Sequence, residues 1–268
     1  MLAASRIVPI APRPPPAPGT LADTLLERCR LVDDLLPALR PPGPDRLREW
    51  ARLRYPFRPQ DVPASLSYLR HRDSQRVVDA ATDFGGRWGR STLEARSLAS
   101  VPQVAYPSTW HTRAAFVAAL ESIASAVLGR QVRVRTVAVG TVPDCSGLAL
   151  RFVSPAQLPD WLDLLRIWLL REDVPHVARA AVACQFLSCC HPFEDGNGRT
   201  ARLVSNALLM QGGMPADAYV PLHELFVLSL GGMEIRSRLV ELHGAWNAWI
   251  AWFCDLLELT TAVAPNEY

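Results

Sequence analysis

The feature that most limits what this chain can fold into is the run His191 to Arg202, HPFEDGNGRTAR, set between two helical patterns. Upstream, Pro175 opens a helix through Ser188 whose alanines, Ala178, Ala180, Ala181 and Ala183, permit close approach by other helices. Downstream, Thr200 to Gln211 places Leu203, Ala207, Leu208 and Met210 on one apolar side. The linking residues must therefore turn sharply and deliver a helix N-terminus. Glycines on both sides of Asn197 allow positive φ and let backbone N–H groups approach an anion with no Cβ in the way. A helix start adds unpaired N–H donors and a partial positive charge.

The side chains in the run suit a phosphate ligand. Arg199 and Arg202 stand three apart on the first helical turn, so both guanidinium forks can face one anion. Asp195 is a hard oxygen ligand of the kind that holds Mg²⁺ together with a substrate's own phosphate oxygens. His191 can be neutral near physiological pH and accept a proton. Such a site would hold a nucleotide's phosphates and activate an attacking hydroxyl. The residues alone leave open which group is moved.

The run resembles the signature of the Fic family, HPFx(D/E)GNGRxxR, with every specified position matched. The resemblance implies transfer of AMP from ATP to a Ser, Thr or Tyr hydroxyl of a target protein, or of the protein itself. It implies His191 as general base, Phe193 as a buried anchor and Asp195 on Mg²⁺. It further implies Gly196, Asn197 and Gly198 around the α- and β-phosphates, with Arg199 and Arg202 on the distal phosphates. Removal of AMP, transfer of another phosphate-linked group such as phosphate or phosphocholine, and a catalytically silent nucleotide-binding module are the alternatives. Many members also carry an inhibitory helix with the pattern (S/T)xxxE(G/N). Here Arg90-Ser91-Thr92-Leu93-Glu94-Ala95 resembles it in part, and Glu94 lies 97 residues before His191. Arg90 and Ala95 depart from the pattern. The resemblance implies that Glu94 pairs with Arg202 and blocks the γ-phosphate, because a carboxylate on a guanidinium competes with a phosphate oxygen for the same fork.

Twenty-eight basic against 26 acidic residues leave a net charge of +2, which argues against nucleic acid and membrane as partners. No apolar run reaches the length of a spanning helix and no signal peptide is evident, so a cytoplasmic location is expected. The six cysteines, Cys29, Cys145, Cys184, Cys189, Cys190 and Cys254, have no framework spacing and read as buried reduced thiols. Cys189-Cys190-His191 lacks the further pair that a zinc site needs.

The fold class expected is mainly α, a Fic-type helical bundle with a small β-hairpin flap. Residues 1–20, rich in proline, read as an extended or disordered lead-in. Residues 21–99 read as a helical N-terminal region holding the possible inhibitory helix, with helices at 21–39 and 45–55 and short pieces at 63–69 and 73–81. The Fic core is expected over 100–257 and a tail over 258–268, frayed from Thr260. Within the core, 112–128 is amphipathic and ends at a C-capping Gly129. Val132–Val139 and Leu148–Val153 flank a turn composition and read as a hairpin, which in the family covers the active site and aligns the target through its edge. Helices follow at 154–170 and at 233–257, the latter long or broken. His223, Glu224 and His243 stand isolated and read as caps or surface residues. A homo-oligomer is possible.

Overall fold

The computed structural model describes residues 6–9, 12–39, 89–101, 107–141, 148–229 and 232–261. The helices expected at 45–55, 63–69 and 73–81 lie outside them. The described residues are mostly helical, and their only sheet is two short strands.

At the centre is α5, His176–Cys190, with its alanine face closed on all sides. Small side chains let its neighbours come close enough to hydrogen-bond its backbone. Ser205 Oγ of α6, Asn197–Gln211, donates to Ala180 O at 2.9 Å. Trp249 Nε1 of α9, Trp246–Thr261, donates to Ala181 O at 2.7 Å. The Trp249 N–H would otherwise be orphaned in the core, whereas Ser205 Oγ also reaches Ala201 O of its own helix at 2.9 Å; together the bonds tie the three helices. Two further helices cover α5 and α6, α3 (Arg113–Leu128) and α4 (Leu158–Leu169). Thr112 caps α3 by accepting from the Ala115 N–H at 3.1 Å, and Gly129 ends it in the left-handed conformation at φ 63°.

The expected boundary between an N-terminal region and the core is not where packing divides. Helix α1, Asp23–Leu35, lies on α5 and α9. Its Asp33 accepts from the N–H groups of His176 and Val177, both at 2.8 Å, and so caps α5, whose own preceding residue is a proline. A Cβ on Gly212, at the end of α6, would stand 2.8 Å from His176 and 2.9 Å from Leu36. Three element ends therefore meet where only glycine fits. Helix α1 is part of the core.

The proline-rich lead-in is extended but not disordered over residues 12–17. Arg13 Nε and Nη2 donate to the carbonyls of Glu241 and Leu242, each at 2.8 Å. Trp246 Nε1 donates to Pro14 O at 2.9 Å and Trp168 Nε1 to Pro16 O at 2.8 Å. Pro12, Pro15 and Pro16 are buried. An extended proline segment has carbonyls but few donors of its own, and indole N–H groups satisfy them.

The two arms of the expected hairpin run antiparallel, joined by a bridge between Gly140 and Arg151 and by Phe152 N–H to Val139 O at 3.2 Å. Residues 132–135 do not form a strand, because other partners take their donors. Val132 N–H bonds Ser125 Oγ at 2.9 Å, Val134 N–H bonds Glu121 Oε1 at 3.0 Å, and Arg135 N–H bonds Pro192 O at 2.9 Å. The partner of β2 (Leu148–Arg151) is instead β1 (Arg6–Pro9), in parallel register from Arg6 opposite Leu148 to Pro9 opposite Arg151.

The C-terminal helix pattern breaks at Gly244, φ 65°, into α8 (Gly232–His243) and α9. Residues 258–261, expected in the tail and frayed from Thr260, are helical. Leu259 and Thr260 are buried, Thr260 Oγ1 bonds Leu257 O at 2.7 Å, and α9 continues to Thr261. Glu224 lies in the first turn of α7 (Leu222–Leu228) and is buried, whereas His243 is exposed at the end of α8. Among the described residues no helix is long and apolar enough to cross a membrane.

Candidate active site

His191 ends α5 in a left-handed conformation, φ 51° and ψ 58°, and is the one non-glycine residue with positive φ among those described. Its N–H still reaches back to Leu187 O at 3.1 Å. The ring is positioned from two sides. Nδ1 lies 3.1 Å from Ser188 O, and because a carbonyl can only accept, Nδ1 carries the proton and Nε2 is the free basic nitrogen. Phe152 stacks flat on the imidazole at 3.9 Å between centroids with 6° between planes. Burial lowers the His191 pKa from its ordinary value of 6.5. The Ser188 hydrogen bond opposes that, the Arg135 charge adds to it and the Asp195 charge opposes it. The outcome is a neutral imidazole, ready to accept a proton.

Arg135, which sequence reasoning did not single out, fixes this residue. It is 3% exposed, and its guanidinium donates to His191 O at 2.7 Å, Val137 O at 2.9 Å and Val153 O at 2.5 Å. One fork thus ties both arms of the flap to the peptide that carries the imidazole. The signal for it is weak, since an arginine in VRVRTVAV looks like one exposed alternation among several.

Helix α6 begins one turn earlier than its apolar pattern suggested, at Asn197, so Gly198 and Arg199 belong to its first turn. Gly196 precedes it at φ 81°, so the backbone demands glycine, and a Cβ there would sit tightly against Leu128 at 3.2 Å. No side chain caps the terminus. Gly198 is exposed, and a Cβ on it would approach Arg202 Nη1 at 3.4 Å. The open N–H groups, the bare glycine surface and the Arg202 fork thus share one side. Phe193 is fully buried beneath.

The Asn197 side chain turns back on the loop. Its Oδ1 accepts from Phe193 N–H and its Nδ2 donates to Phe193 O, both at 2.8 Å, and it is 4% exposed. The side chain closes the loop and leaves only the backbone N–H to face an anion. Asp195 is exposed. Its Oδ1 accepts from Gly196 N–H at 2.6 Å, and Arg199 Nη2 reaches Oδ2 at 3.3 Å. Among the described residues no group of three or more His, Cys, Asp or Glu could hold a metal by itself. One exposed carboxylate beside an anion cradle suits an ion whose other ligands are phosphate oxygens and water, as Mg²⁺ prefers.

Glu94 sits on α2, Gly89–Ala99, which packs on α3 and α6. It is 2% exposed and receives both Nε of Arg202, at 3.1 Å from Oε2, and Nη2, on Oε1. Tyr219 OH, a second residue missed in the sequence, donates to Oε2 at 3.0 Å. Burial works against the Arg202 charge, yet the Glu94 hydrogen bonds and charge outweigh it and raise the Arg202 pKa. Burial, followed by the Glu94 charge, holds the Tyr219 pKa well above its usual value, so the phenol keeps its proton. Burial also pushes the Cys190 thiol next to His191 up to about 12, which removes it as a competing nucleophile.

The profile of the Fic/DOC family matches residues 111–209, which include Arg135 and the run from His191 to Arg202 but not Glu94 or Tyr219. Among curated proteins, the chain is 37% identical over 103 residues to protein adenylyltransferase fic-1 of Caenorhabditis elegans, covering 34% of this chain and 20% of the relative. It is 32% identical over 119 residues to a uridine 5'-monophosphate transferase of Xanthomonas campestris, covering 41% and 22%. The chain thus spans about a fifth of the length of these relatives. A crystal structure of a Fic family protein from Desulfovibrio desulfuricans superimposes with a TM-score of 0.55 at 16% identity, over 93% of this chain and 75% of the other, and so shares the fold. A neutral histidine at a helix end, an uncapped glycine-flanked helix start and a paired arginine, in a matched region of this extent, make residues 111–209 a domain of the Fic/DOC family.

Proposed function

We propose that the chain is a protein adenylyltransferase that moves AMP from ATP to a hydroxyl of a protein. The observation that carries this reading is the free Nε2 of a neutral His191 beside the uncapped start of α6. The acceptor hydroxyl gives its proton to Nε2 as its oxygen bonds the α-phosphorus. The bond from that phosphorus to the bridging oxygen breaks, and pyrophosphate leaves with the electron pair. Backbone N–H groups of residues 197–199 and the helix dipole offset charge on the phosphates, and Arg199 and Arg202 receive the distal ones. Asp195 would hold Mg²⁺, which when bound offsets further charge on the phosphate oxygens.

Glu94 occupies the Arg202 fork, so a γ-phosphate must compete for it; this supports an autoinhibited resting state. The match to a uridine 5'-monophosphate transferase supports a second reading in which UTP is the donor. The five described cysteines are buried and unbridged, which supports a reducing, cytoplasmic setting. The test is incubation of wild-type, Glu94→Gly and His191→Ala proteins with ATP or UTP and a lysate, followed by mass spectrometry of the proteins. Addition of AMP by the first two, stronger for Glu94→Gly and absent for His191→Ala, is expected. AMP addition by His191→Ala at the wild-type rate would remove the histidine as base.

A further inference from the structure

Helix α2 is held on the core by little apolar surface. Of its described side chains, those of residues 93–99, only Glu94 and Leu98 are buried, and Leu93 is 62% exposed. Its seat against α3, α6 and α7 therefore depends on what grips the Glu94 carboxylate. Arg202 supplies one grip, on both oxygens. The Tyr219 hydroxyl supplies a second, 3.0 Å from Oε2, and it comes from the stretch between α6 and α7 rather than from the anion cradle.

That stretch is pinned. Asn206, one turn after Arg202 on α6 and fully buried, holds Val220 by both backbone groups: Val220 N–H donates to Oδ1 at 2.8 Å, and Nδ2 donates to Val220 O at 3.3 Å. The same Nδ2 donates to Arg202 O at 3.0 Å. Arg202, Glu94, Tyr219, Val220 and Asn206 thus close a ring that begins and ends on one turn of α6. Within it the phenol is buried and keeps its proton, so it is a donor fixed at one spot. A γ-phosphate that takes the Arg202 fork expels the carboxylate, because two anions in one buried place repel. The hydroxyl cannot follow Glu94 and stays behind without it. Its bond to Oε2 exists only in the resting state, so all that it contributes falls on the side of inhibition.

We propose that Tyr219, pinned through Val220 by Asn206, is a positioning residue that latches Glu94 onto Arg202 and so sets the ATP concentration at which the site opens. The latch rests on the autoinhibited resting state proposed above.

Nucleotide binding is measured by titration calorimetry on the full chain carrying His191→Ala, so that no turnover intervenes. Adding Tyr219→Phe is expected to lower the Kd for ATP about tenfold, as when a competent state that is rarely populated gains what one hydrogen bond to a charged group withheld. The Kd for AMP, which has no distal phosphate, is expected to stay unchanged. Combined with Glu94→Gly, Tyr219→Phe is expected to change neither value. Asn206→Ala, which releases Val220 and with it the phenol, is expected to lower the ATP Kd in the same direction, and it decides the matter if Tyr219→Phe does not fold. With His191 restored, Tyr219→Phe is expected to lower the apparent KM for ATP in AMP transfer by the same factor at unchanged kcat, a split that a merely destabilised protein does not show. If Glu94→Gly tightens ATP binding while neither Tyr219→Phe nor Asn206→Ala does, the latch is overturned and the resting state stands. Equal tightening of ATP and AMP, or a Tyr219→Phe effect that persists in Glu94→Gly, overturns it in the same way. A Glu94→Gly protein that binds ATP no tighter than its parent removes the resting state itself, and the latch with it.

Discussion

Replacing Glu94 with alanine tests the electrostatics of the site without any acceptor. The carboxylate is 2% exposed and its partner Arg202 shows 10% of its side chain, so the pair is held out of water. The substitution leaves a guanidinium buried with no counter-charge and the Tyr219 hydroxyl without its acceptor. Breaking a buried pair from one side costs about 3–5 kcal/mol. For a domain of this size, at roughly 2–4 °C per kcal/mol, the melting temperature falls by on the order of 10 °C. Phosphate can then take the place of the lost carboxylate. ATP at a hundred times its Kd restores about 2.7 kcal/mol. The wild-type protein gains less at the same ATP concentration, because the phosphate must first displace Glu94. AMP, which has no distal phosphates to offer Arg202, shifts both proteins alike. Differential scanning fluorimetry of the two proteins with no nucleotide, AMP and ATP reads all of this. Equal melting temperatures without nucleotide, or equal ATP shifts in both proteins, would refute the reasoning.

Further expectations follow from the same contacts. The pKa of His191 is depressed, so the base stays neutral at pH 6.5, and the acid limb of a kcat/KM profile for Glu94→Gly should lie below that value, with activity lost as pH falls through the folded-state pKa. An acid limb above pH 6.5 contradicts a buried base. Arg135→Gln should strand buried carbonyls at a cost of about 1–3 kcal/mol each. It should also move the same limb to higher pH, since the Arg135 charge is one of the causes holding the His191 pKa down; a destabilised variant with an unmoved limb would reduce Arg135 to a structural tie. Asp33→Ala should lower stability by about 1 kcal/mol through loss of the α5 cap, in a single cooperative unfolding transition. Two separated transitions in urea would show that α1 is not part of the core.

The signature loop was legible because its chemistry is local. Glycine at residue 196 answers a backbone demand, the arginine spacing follows from helical geometry, and His191 sits where a helix must end. Each can be read within a dozen neighbouring residues. The helices α3 to α6, and the long or broken pattern that became α8 and α9, were likewise visible in apolar periodicity and in caps such as Thr112 and Gly129, whereas α7 was not read. The alternating run around Arg135 misled, because a strand pattern says only which residues could pair. In the folded chain Ser125, Glu121 and Pro192 reach those donors first.

What folding added are contacts between residues far apart in the chain. Arg135 on the His191 carbonyl, Tyr219 on Glu94, Asp33 on the start of α5, the tryptophans on the proline segment and β1 on β2 all join stretches that no local pattern relates. The composition of residues 1–20 announces an extended backbone with few donors. Whether such a segment is solvated or bound depends on indole N–H groups more than a hundred and fifty residues away, and their position is set only when α4 and α9 pack around α5.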